Sequence, residues 1–225
     1  MALKIYYHPA STTCRPIMLF AREQKVDAEF VLVDLFTGEH MQEAYARKNP
    51  NKLVPLLEDG DFRLTESSAI LKYLADLSNS PAYPKDLKRR AKVNEMMDWI
   101  NTQVCRDFAY GFVYPQIFPF HDRGDEAVQK ATLAWNGERA RKWLQVLDRD
   151  LLGSRKFLCG DELTIADYFG ACFVALGEIT RSDFSAFPNV SAWLGRMKQL
   201  PSWKPVFEAI DGYAASMKDK QFASL

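Results

Sequence analysis

The stretch Ser78-Asn79-Ser80-Pro81-Ala82-Tyr83-Pro84 restricts the folds open to this chain more than any other. Proline fixes φ and lacks a donor N–H, so a polar run with two prolines ends whatever precedes it. Before it, strand-like and helix-like patterns alternate. After it, no convincing strand occurs and the apolar spacing is helical throughout. A boundary near residue 82 therefore joins an α+β half, residues 1–80, to an all-helical half, residues 87–225.

In the first half, Leu3 to Tyr7 reads as a strand, Ile17 to Glu23 as a helix and Phe30 to Val33 as a second strand. A helical crossover between two such runs favours parallel pairing. Met41 to Arg47 suits a short helix. Val54 to Glu58 and Phe62 to Leu64 flank Asp59-Gly60-Asp61, a tight-turn pattern. A helix from about Glu66 to Leu77 carries Ile70, Leu71 and Leu74 on one face. In the second half, helical patterns cover Leu87 to about Tyr110, Glu126 to Leu152, Thr164 to Gly177 and Val190 to Leu200. No role is read for residues 213–225. Thr164 and Asp167 have the spacing of a helix-capping box, a structural role for Asp167.

The chain has 225 residues and no net charge, with 29 basic and 29 acidic side chains, which argues against a nucleic-acid partner. The densest basic run, Lys85 to Arg90, opens a helix and reads as a solvated face. No apolar run reaches the roughly 18 residues of a membrane helix. The four cysteines are scattered, no metal-ligand cluster is evident and no leader segment is read at the start, so a reduced, cytoplasmic setting is expected.

Chemistry concentrates in His8 to Pro16. A loop of small hydroxyl residues, Ser11-Thr12-Thr13, links the first strand to the first helix, where unpaired first-turn N–H groups and the helix dipole favour an anion. Ser11 to Cys14 keeps the spacing of a thioredoxin-like CxxC motif, with Ser at the exposed nucleophilic position and Cys14 inside the helix as a packing residue. A reactive sulfur must then come from outside.

Ser11, Cys14 and Arg15, Gly38-Glu39-His40, Asn49 to Pro55, Thr65 to Ile70 and the Thr164 to Asp167 box occur in order across the boundary. Together they resemble the cytosolic glutathione S-transferase family, theta- and delta-like. That resemblance implies a thioredoxin-like N-terminal domain followed by an all-α helical-bundle domain that binds the electrophile, and a homodimer. It implies glutathione as co-substrate, bound by His40, Lys52, Val54, Pro55, Glu66 and Ser67, with a cis Val54-Pro55 bond. Ser11 is then the catalytic donor to the glutathione thiolate; Thr12, Thr13 and Tyr7 are the alternatives. Lowering a thiol pKa by about two units needs roughly 2.7 kcal/mol. A hydrogen bond to the charged sulfur supplies about 1.5–3 kcal/mol and the helix end about 0.3–1 kcal/mol. Arg15 stabilises the loop or the ligand. The aromatic run from Phe108 to Phe120 is either a wall for a hydrophobic electrophile, with Tyr110 and Tyr114 as contacts, or core and subunit interface. Two other functions share these residues: a glutathione-dependent disulfide or peroxide reductase, and a non-catalytic binding or regulatory protein.

Overall fold

The computed structural model describes residues 3–225. Four strands, β1 (Lys4–Tyr7), β2 (Glu29–Leu32), β3 (Leu56–Asp59) and β4 (Phe62–Leu64), form one sheet in the order β2-β1-β3-β4. β1 and β2 run parallel, with Ile5 opposite Phe30, and the other pairs are antiparallel. The parallel pair needs a crossover, which α1 (Arg15–Glu23) supplies; the β3–β4 pair needs only a turn, where Gly60 sits at φ 66°. β2 lies one residue earlier than the apolar run, because Glu29 joins the ladder while Val33 turns into the core.

α2 (Glu43–Ala46) follows a short 3₁₀ turn at Glu39–Met41, and α3 (Ser67–Leu77) closes this part. Ile5, Leu56 and Leu57 from the sheet meet Ile17, Leu19 and Phe20 of α1 and Ile70, Leu71 and Leu74 of α3, all fully buried. Burying side chains of this size stabilises by about 1.5–3 kcal/mol each.

α4 (Leu87–Trp99) does not stop near Tyr110. It continues in wider π-type turns through Ile100–Val113 and runs into α5 (Tyr114–Ile117). Pro115 has no N–H, so one backbone hydrogen bond is missing where the π-type turns give way to α5. α6 (Glu126–Val146) is extended by Leu147–Leu152; Leu144 and Leu147 are buried, with Trp143 and Leu151 at the edge of the core. α7 (Ile165–Val174) is buried along its whole length and packs on α1, where Phe20 and Tyr168 meet edge-on at 5.5 Å. α8 is Pro188–Lys198.

A last helix, α9 (Trp203–Ser216), was not anticipated. Its signal is present: Trp203, Val206, Phe207 and Ile210 follow helical spacing, and all four are buried. No described helix is long and apolar enough to cross a membrane. The fold is a thioredoxin-like domain with a mixed four-stranded sheet, followed by a helical domain.

Candidate active site

The two adjacent tyrosines at the end of β1 diverge, as alternation along a strand requires. Tyr6 donates to Glu58 at 2.6 Å and accepts from Lys48 at 2.6 Å, so its hydroxyl is occupied away from the loop. Tyr7 packs edge-on against Phe30 at 5.3 Å and does not line the cleft described below. Of the four candidate donors, the three loop hydroxyls come together and Tyr7 stays apart.

The loop is tied down by its own carbonyls. Ser11 N–H donates to His8 at 3.0 Å, and the N–H groups of Cys14 and Arg15 both donate to the Ser11 carbonyl at 3.2 Å. Pro16 has no N–H. The first turn of α1 therefore has fewer free amides than expected, and the anion-binding capacity here rests mainly on hydroxyls. Cys14 is the cap residue of α1, outside the helix proper. It is buried, and burial pushes its thiol up to about 11. Among the described residues every cysteine is unpaired, and burial raises the thiols of Cys105, Cys159 and Cys172 as well.

Ser11 Oγ and Thr13 Oγ1 lie 3.1 Å apart, and Thr13 donates to the Val54 carbonyl at 3.1 Å. Tyr114 of α5 donates to Thr12 Oγ1 at 2.7 Å, bridging the helical domain to the loop. Arg15 lies beneath, 1% exposed. It donates to the Ala10 carbonyl at 3.0 Å and to Thr12 Oγ1 at 3.3 Å, with its guanidinium 5.1 Å from the Phe207 ring.

These hydroxyls line a cleft of about 590 Å³ between the two domains. His40, Lys52 and Val54 share it from the sheet side; Tyr110, Tyr114, Phe118, Phe120 and His121 form an aromatic wall from the helical side. Tyr110 and Tyr114 stack at a tilt, centroids 4.7 Å apart, and both approach His121. Tyr110 is partly exposed, whereas Tyr114 is 7% exposed with its hydroxyl turned to Thr12, so the two expected electrophile contacts differ in what they offer. Burial pushes both phenols up, so both remain protonated donors at neutral pH.

His8, the first residue of the stretch singled out in the sequence, and His121, a single histidine without a motif, also line the cleft, a role the sequence assigns to neither. Burial lowers both imidazoles; at His8 the Asp34 carboxylate opposes the shift and His40 adds to it, and at His121 the Arg123 guanidinium adds to it. His40 Nδ1 is buried without a partner among the described residues. The Val54–Pro55 peptide is cis.

Glu66 and Ser67 do not line the same cleft. Glu66 does not begin the helix as expected. It is the residue before it, at φ 66°, and exposed; Ser67 is the first helical residue and is buried. A non-glycine residue in that backbone region costs of order 1–3 kcal/mol, and such residues cluster at binding sites. The Glu66 charge is close enough to act on Tyr110. No described group of three or more His, Cys, Asp or Glu is placed to hold a metal.

The family model described as the glutathione S-transferase N-terminal domain matches residues 1–76, and the one for the C-terminal domain matches residues 108–201. The chain is 34% identical over 206 residues to glutathione S-transferase theta-1 of Homo sapiens, covering 88% of this chain and 83% of that protein. Among solved structures, human glutathione transferase theta-2, in complex with glutathione and an unknown ligand, superposes with a TM-score of 0.88 at 27% identity, over 100% of this chain and 94% of that one. A delta-class glutathione transferase of Nilaparvata lugens gives 0.80 at 31% identity, over 96% and 99%. The chain belongs to the glutathione S-transferase family, with theta-class proteins among its relatives.

Proposed function

We propose that this glutathione S-transferase holds the glutathione thiolate at the β1–α1 loop and directs it at a hydrophobic electrophile seated against the aromatic wall. The observation that carries this reading is the junction of three loop hydroxyls with that wall in one cleft. Ser11 is the donor to sulfur. Only the thiolate is a good nucleophile, and a hydroxyl that donates to it favours that form without taking a proton from it.

The remaining contacts follow from charge and shape. Val54 offers its backbone to the extended peptide beside Pro55. His40 and Lys52 suit the glycine carboxylate, while Ser67 and Glu66 suit the α-carboxylate and ammonium of the γ-glutamyl end. Tyr110 and Tyr114 flank the electrophile. Residues 1–80 are then the glutathione-binding unit and residues 87–225 the electrophile-binding unit, assembled as a homodimer in the cytoplasm in a detoxifying role. The burial of Cys14, Cys105 and Cys172, which raises their thiols, favours an incoming glutathione sulfur over a thiol of the chain as the nucleophile.

Binding to glutathione-agarose, followed by conjugation of a chromogenic aryl halide, tests the proposal. Retention with turnover supports it. Retention without turnover of any electrophile tried points to a binding protein, and turnover of disulfides or peroxides alone points to a reductase. Size-exclusion elution at micromolar concentration tests the dimer, which a monomeric profile excludes.

A further inference from the structure

Each hydroxyl in the loop has one proton to donate and two lone pairs to accept with, so their hydrogen bonds assign the protons. Thr13 gives its proton to the Val54 carbonyl. In the Ser11–Thr13 pair the donor is therefore Ser11, whose proton is already committed. Thr12 is the reverse case. Its oxygen accepts from the Tyr114 phenol and from the Arg15 guanidinium, filling both lone pairs, while its own proton has no acceptor among the described residues. Thr12 is 4% exposed and lines the cleft. A buried hydroxyl held this way has one thing left to offer, a proton directed away from its two donors.

Resting on the glutathione reading above, we infer that Thr12 is a second catalytic donor to the sulfur, with Tyr114 and Arg15 as the positioning residues that aim it. A hydroxyl that accepts from two donors, one of them cationic, is polarised and donates more strongly. Thr12 reaches this state without reorganisation, whereas Ser11 must leave Thr13 to reach the sulfur. Tyr114 comes from the helical domain and stands in the electrophile wall, so the side that receives the electrophile also sets the donor that activates the nucleophile.

The test titrates bound glutathione by thiolate absorbance in the unaltered chain and in the Thr12→Val, Thr12→Ser and Tyr114→Phe variants. Calorimetric binding of S-methylglutathione, which has no ionisable thiol, reports the fold and the peptide contacts independently. Thr12→Val should raise the bound thiol's pKa by about one unit, a tenfold loss of acidity, with S-methylglutathione affinity held within about twofold. Thr12→Ser should restore the unaltered value. Tyr114→Phe should give a smaller rise, and the Thr12→Val/Tyr114→Phe double variant should rise no further than Thr12→Val alone, because Tyr114 acts through Thr12. Unchanged titration in Thr12→Val, or additive shifts in the double variant, overturns the assignment. Should Thr12→Val not fold, an unchanged titration in Tyr114→Phe overturns it. An unaltered chain that binds neither glutathione nor its S-methyl form overturns the underlying reading, and this inference with it.

Discussion

Two buried polar clusters, one in each domain, handle their hydrogen bonds in opposite ways. Around Asp167, in the helical domain, nothing is left over. Its carboxylate accepts from the Thr164 N–H and hydroxyl at 2.9 Å, from the Leu158 N–H at 2.8 Å and from Trp193 Nε1 at 3.0 Å, at 0% exposure. Burial pushes this carboxyl up, and its four donors oppose that. Around Thr12 both lone pairs of the hydroxyl are filled, its own proton is free, and the Nε–H of Arg15 beneath it is also buried without a partner among the described residues. A saturated cluster holds the fold together. An unsaturated one, placed in a cleft, is built for something that arrives later.

The largest expected effect comes from breaking the saturated cluster. Asp167→Ala strands four donors in the core and should cost about 3 kcal/mol or more of unfolding free energy. A fall in the urea midpoint that, multiplied by the m-value, gives a loss of that size is the outcome to measure. A neutral result would mean that water replaces the carboxylate and that the cluster is not sealed.

Next is Ser11→Ala. It should reduce aryl-halide conjugation about tenfold or more, roughly 1.4 kcal/mol in the barrier, while glutathione binding and the urea midpoint stay near those of the unaltered chain. Full activity would remove Ser11 from the mechanism and leave Thr12 as the donor. Loss of stability instead would make the loop cluster structural, like that of Asp167, and erase the contrast.

The smallest effect concerns Glu58, which lies between these extremes. Burial opposes its ionisation, but Tyr6 at 2.6 Å, Arg63 at 2.8 Å and Lys48 at 3.3 Å together hold its carboxyl below the ordinary value. A carboxylate with a lowered folded pKa contributes its stability above the unfolded value, about 4.3, and that contribution is lost as pH falls through the folded value. Glu58→Gln should cost about 0.5–1 kcal/mol at neutral pH and show a shallower loss of stability on acidification to about pH 3. Parallel acid curves for the two proteins would show that Glu58 is not coupled to folding.

Much of the fold is legible in residue order, because the signals are local. Pro81 and Pro84 fall in the break between α3 and α4, Gly60 turns β3 into β4, and the spacing of Ile70, Leu71 and Leu74 buries one face of α3. The Thr164–Asp167 box reads directly from four residues, and the capping box forms. The helix at α9 was equally legible in its apolar stripe. What escaped is non-local. His8 and His121 are 113 positions apart, yet both line the cleft because the helical domain meets the loop after β1, where Tyr114 bonds Thr12.

The same division holds within the site. That residues 11–13 supply three hydroxyls between a strand and a helix, with Cys14 as a packing residue, follows from local pattern, and the divergence of Tyr6 and Tyr7 follows from alternation along β1. Which hydroxyl has a proton free is not decided there. Thr12 owes its state to Tyr114, 102 residues away, and Thr13 owes its own to Val54, 41 residues away. Hydrogen-bond valence is settled by whatever atoms come within about 3 Å, and only tertiary packing, within the first domain for Thr13 and between the two domains for Thr12, brings those atoms together.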